Sequence, residues 1–164
     1  MRINKLDYVV LTALLSAISI VLRVAFEFLD GSIIFSIPVY TIALILCGIL
    51  CGPVNGLFAG VIVDIISSLI IGWQFVPVSM LVPIAWGLIP GLLYQKKETK
   101  TVLVVGITIA HLFATTINTL VLVFIFNLKF SNLSFRFYLV PINIVLLSII
   151  SILILRGVSY VEKK

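Results

Sequence analysis

Apart from a few short polar breaks, the chain is apolar from about Tyr8 to about Tyr160. A helix needs roughly 20 mostly apolar residues to cross the hydrocarbon core of a bilayer, and this stretch supplies that length several times over. Only 10% of the 164 residues are charged and the mean hydropathy is +1.34. That balance lies far outside the usual range of a soluble domain. The sequence therefore predicts an all-α integral membrane protein, a single membrane domain over residues 1–164 folded as one helical bundle.

Breaks fall at Asp30-Gly31-Ser32, Gly52-Pro53, Gly72-Trp73-Gln74, QKKETK (95–100) and NLKFSNLS (127–134). They divide the chain into six spans, approximately 6–29, 33–51, 54–71, 76–95, 101–126 and 135–157. The fourth should be the least regular, because Pro77, Pro83 and Pro90 each remove a backbone donor. The amino terminus has a basic start and an apolar stretch, but the stretch is long and no small-residue cleavage site follows. It reads as a retained first helix.

Lys and Arg set the orientation. Arg2 and Lys5 precede span 1, Lys96, Lys97 and Lys100 separate spans 4 and 5, and Arg156, Lys163 and Lys164 end or follow span 6. With six spans these places share one side, which the positive-inside rule makes cytoplasmic, together with both termini. The net charge of +5 then needs no nucleic acid to explain it.

The few polar residues inside the spans are costly, so each should face a cavity, a partner or the interface. Arg23 has two readings: an ion pair with Glu27 one turn away that snorkels outward, or an inward guanidinium for an anionic group of a ligand. Arg136 at the start of span 6 is either an interfacial anchor or a fork for a carboxylate or phosphate. Asn118 and Asn143 suit interhelical hydrogen bonds or the edge of a heterocycle. Trp73, Phe75 and neighbouring aromatics suit an interfacial belt or the walls of an outer cavity. Asp64, alone in an apolar run, should be buried and either hydrogen-bonded or protonated.

Several chemistries are not indicated. His111 has no companion ligand, so no metal or other cofactor is expected, and Cys47 and Cys51 read as small packing residues. No catalytic motif and no P-loop occurs, so the chain is not expected to be an enzyme and any ATP must be hydrolysed by a partner.

Small residues mark helix faces that let another helix approach closely. Ala13 and Ala17 make such a face on span 1, while Gly52, Gly56 and Gly60, preceded by Gly48, make another around an uncharged turn. Either could pack internally or dock a partner.

This order of features resembles the substrate-binding S components of energy-coupling-factor (ECF) vitamin transporters. Ala13-Leu-Leu-Ser-Ala17 looks like their AxxxA coupling motif, and ALILCGILCGPVNGLFAGVIVDII (43–66) resembles their span 2–3 hairpin with its GPxxGxxxGxxxD character. GWQFVPVSMLVPIAWGLIPGLLY (72–94) is similar to the segment that follows. The folate-type branch looks nearest, through ISIVLRVAF (18–26), NTLVLVFIF (118–126) and RFYLVPIN (136–143).

The resemblance implies a six-helix component of a bacterial cell membrane that binds a water-soluble vitamin in an outward cavity. Folate is the first candidate, with pantothenate, hydroxymethylpyrimidine, pyridoxine-type compounds or riboflavin as others. Its partners would be a transmembrane T component and two cytoplasmic ATPases. Carried over by position, Ala13, Ala17, Gly52 and Gly56 would dock the partner, and Arg23, Arg136, Asn118 and Asn143 would contact the vitamin. Trp73 and Phe75 would line or gate the mouth. A scaffold resembling the rod-shape-determining MreD proteins, which does not require the glycine turn together with AxxxA, and a small secondary transporter, for which the spans carry too few charges to form a proton relay, are the competing readings.

Overall fold

The computed structural model describes residues 5–30 and 38–161. Arg2, Lys163 and Lys164, the break at Gly31-Ser32 and the start of the expected second span lie outside the described residues. The elements are α1 (Lys5–Asp30), α2 (Thr41–Leu50), α3 (Pro53–Ile71), a 3-10 turn (Pro77–Met80), α4 (Leu81–Lys96), α5 (Lys100–Phe124), the single turn α6 (Phe130–Leu133) and α7 (Phe135–Val161). No strand occurs among the described residues.

Five segments are long and apolar enough to cross a membrane: Leu6–Phe28, Pro53–Ile71, Pro77–Lys96, Lys100–Phe124 and Phe130–Val158. The helix described for the expected span 33–51 begins only at Thr41 and has 10 residues. At 1.5 Å per residue it is about 15 Å long, half the hydrocarbon core. Local bonds mark where it starts. The Thr41 amide and hydroxyl both donate to the Pro38 carbonyl, at 3.0 and 2.6 Å, which closes a turn ahead of the helix.

The expected irregularity of the fourth span is present, because Pro77 opens a 3-10 turn and Pro90 lies inside α4. Gly52 joins α2 to α3 at φ +96°, where an L side chain is strained, and Pro53 then occupies the first helical turn, where its missing N–H costs nothing. At the other end of α3, Gly72 adopts a left-handed conformation (φ +79°), and the amides of Gly72 and Trp73 both donate to the Ser68 carbonyl.

In lipid an apolar side chain gains little by leaving one apolar surrounding for another, so helix association depends on close packing. Here glycines provide it. Gly48 on α2 and Gly56 on α3 both meet Gly87 on α4, and Gly60 meets Pro83. A Cβ on Gly56 would stand 2.6 Å from the Gly87 carbonyl oxygen, so main chain touches main chain there. Gly56 is therefore buried against α4. Around this junction Leu44, Ile45, Cys47, Val63, Trp86 and Ile107 form the buried core. Cys47 and Cys51 are buried and free.

By contrast, α1 leans on the bundle along one stripe, through Leu15, Ser16 and Ser19. Its opposite face, with Ala13, Leu14, Ala17, Ile18 and Val21, is exposed.

Candidate functional site

The ends of α1, α3 and α5, the residues Pro38–Tyr40 that lead into α2, and the starts of α4 and α7 surround a cavity of about 460 Å³. Two arginines line it, Arg23 from α1 and Arg136 from α7. Lys96, Lys97 and Lys100 lie at the opposite end of the bundle, where α4 passes to α5.

Arg23 is held from several directions. Its Nη1 donates to Asp64 Oδ1 at 2.8 Å, with Asp64 fully buried and the arginine side chain 14% exposed. The guanidinium also sits 5.4 Å from the ring centre of Tyr40 and 6.0 Å from that of Trp73, so two aromatic faces share its charge. On α1, the Ser19 hydroxyl donates to the Tyr40 carbonyl at 2.9 Å and ties the helix to the start of α2. Ser79 Oγ lies 3.3 Å from Asp64 Oδ2 but 2.7 Å from the Val76 carbonyl oxygen. Its single proton serves the closer acceptor.

The ion pair that fixes the Arg23 guanidinium is thus a tertiary one between α1 and α3, because Asp64 points into the bundle, where an unpaired carboxylate would be very costly. Asp64 is buried and hydrogen-bonded, as an acid in mid-helix must be.

Of the other residues expected at a ligand, Trp73, Asn118 and Arg136 line the main cavity. Asn143 does not; it lines a smaller pocket of about 100 Å³ beside it. Phe75 is 47% exposed and lines neither, since the stretch Trp73–Val76 is not helical and directs successive side chains differently. Of the residues expected at a partner, Ala13 and Ala17 lie on the outward face of α1, Gly52 lies in the α2–α3 turn and Gly56 lies inside.

Gln74, which the sequence groups with the outer aromatics, forms part of the cavity wall, and so do Tyr40, Phe26, Glu27 and Asp64, to which the sequence assigns no place there. Asp64 carried a signal of burial, as an acid alone in an apolar run. The charged residues of the wall are two arginines, Arg23 and Arg136, and two acids, Glu27 and Asp64. Their formal charges cancel. A polar rim on an apolar interior of this volume can enclose a ring-bearing metabolite and orient it by hydrogen bonds. No group of three potential metal ligands occurs among the described residues.

A family model described as the substrate-specific component of ECF transporters matches residues 7–159. No curated protein matches the chain.

Proposed function

The chain belongs to the substrate-specific components of ECF transporters, and from that premise we propose that its cavity binds a small water-soluble vitamin or vitamin precursor for uptake. The observation that carries the reading is a roughly 460 Å³ chamber at one end of the bundle, with Arg23, Trp73, Asn118 and Arg136 in its wall. Lysines gather at the other end, which supports an outward-facing chamber by the positive-inside rule. On this reading α2 belongs to a second span, the bundle has six, and both termini are cytoplasmic.

Uptake would depend on a T component and two ATPases, since the chain has no P-loop of its own. Ala13 and Ala17, exposed on α1, are the proposed docking face. The family match lends no support to the scaffold or secondary-transporter readings.

For the vitamin, the stretches ISIVLRVAF and RFYLVPIN favour folate. A specific observation favours a second choice. With Glu27 and Asp64 balancing Arg23 and Arg136, the wall suits a ligand of little net charge better than a dianion. Pyridoxine, hydroxymethylpyrimidine and riboflavin meet that condition, and pantothenate comes closer to it than folate.

The test is to purify the protein from vitamin-rich medium, denature it, and identify the released small molecule by mass spectrometry. Titration of the washed protein with folate, pantothenate, pyridoxine, riboflavin and hydroxymethylpyrimidine should then find one that binds tightly. Failure of all five, with nothing released on denaturation, would overturn the proposal.

A further inference from the structure

Beside the main cavity, between α4, α5 and α7, lies the smaller pocket of about 100 Å³. It shares Tyr40, Asn118 and Arg136 with the main cavity, so the two abut. What distinguishes it is His111. The residue is only 6% exposed, and its Nε2 is buried without a hydrogen-bond partner. Its Nδ1 faces the Thr115 hydroxyl at 3.4 Å, and its ring lies against Trp86, with centroids 5.2 Å apart. The imidazole is therefore fixed in orientation while one nitrogen is left over.

A buried polar atom without a partner is uncommon and costly, and in a pocket it points to a missing ligand or water. Whichever tautomer the Thr115 contact selects, Nε2 offers one hydrogen-bonding function, donor or acceptor. Asn143, 7% exposed, brings an amide with both functions to the same pocket.

The spacing along α5 joins the two chambers. His111, Ala114, Thr115, Asn118, Val121 and Leu122 recur at three and four residues, so they form one face of the helix. The pocket is lined by the first four and the main cavity by the last three. His111 is also about 16 Å along the helix from Lys100, so this face carries polar contacts from the mouth down to the middle of the bundle.

We propose that this pocket is a second subsite of the vitamin-binding chamber, in which His111 Nε2, Asn118 and Asn143 hydrogen-bond a small uncharged polar edge of the ligand. The edge would be amide-like or hydroxymethyl in character. The volume holds on the order of three waters, which limits the inserted group to a few heavy atoms. His111 is then a specificity-determining residue, selecting ligands that present such a group. The inference rests on the vitamin-uptake reading above.

The chain contains a single histidine, so full-length protein labelled with ¹⁵N-histidine and prepared without a histidine tag gives one imidazole signal pair. The probes are folate, pantothenate, pyridoxine, riboflavin and hydroxymethylpyrimidine, with binding measured in parallel by tryptophan fluorescence. The vitamin that binds should move the Nε2 resonance more than Nδ1. His111→Phe should weaken that vitamin about tenfold, the effect of one lost hydrogen bond, and His111→Gln should recover most of the loss. A bound vitamin that leaves Nε2 unmoved, with affinity intact in His111→Phe, would mean that the pocket holds water only and would overturn the subsite alone. No binding of any vitamin by the wild-type chain would overturn the uptake reading and the subsite together.

Discussion

Removing Asp64 should destabilise the protein through the arginine it leaves behind. The charge centres of Arg23 and Asp64 stand about 4 Å apart, and at an effective dielectric of about 20 their attraction is about 4 kcal/mol. Breaking a buried pair from one side costs about 3–5 kcal/mol, because the remaining charge keeps its desolvation without its partner. Arg23 retains 14% of its side-chain exposure and two aromatic neighbours, which places Asp64→Leu near the lower end, about 3 kcal/mol. For a chain of this size that corresponds to a fall in Tm of roughly 6–12 °C by the scaling for globular domains. Asp64→Asn keeps an acceptor oxygen and should lose about a third as much.

The assay is built into the molecule. Cys47 and Cys51 are buried and free, so a thiol-reactive fluorophore added to detergent-solubilised protein reports unfolding as the temperature rises. Arg23→Met combined with Asp64→Leu should be less damaging than the two single losses added together, by about 2 kcal/mol or more. Strict additivity, or an Asp64→Leu protein as stable as wild type, would refute the argument.

Other substitutions test other parts of the fold. In Gly56→Val even the Cβ would stand 2.6 Å from the Gly87 carbonyl oxygen, so this change should abolish the folded, monodisperse protein in size-exclusion chromatography; Gly157→Ala, with nothing within 4 Å, should leave the elution profile and Tm unchanged. Gly72→Ala puts a side chain at φ +79°. It should lower stability by about 1 kcal/mol, read as a small fall in Tm. Ala17→Trp on the outward face of α1 should abolish vitamin uptake by cells while the purified protein still binds the vitamin; equal loss of both would sink the docking role.

Much of the architecture was legible because hydropathy is a local property. The breaks at Gly52-Pro53 and QKKETK mark the real starts of α3 and α5 to within a residue. The site was less so. Asp64 announced its burial by being an acid alone in an apolar run, but its partner is 41 residues away in the chain, and pairings across helices leave no local trace. Glu27 was the partner that helical spacing offered to Arg23, and α3 supplied a buried one. The glycine stripe was equally ambiguous, since small residues at four-residue spacing serve an internal contact as well as an external one; only the position of α4 decides it. Phe75 and Trp73 show the same limit, being two aromatics in a non-helical stretch where no period tells which one turns inward.

The glycine junction has a bearing on rigidity. Below the chamber, at the end carrying Lys96 and Lys97, α2, α3 and α4 meet through main-chain atoms at Gly48, Gly56 and Gly87. A contact made by side chains can loosen when a rotamer changes. One made of backbone has no rotamer to flip. The seam between these three helices is therefore closed by main chain alone, and its tightness does not depend on side-chain motion.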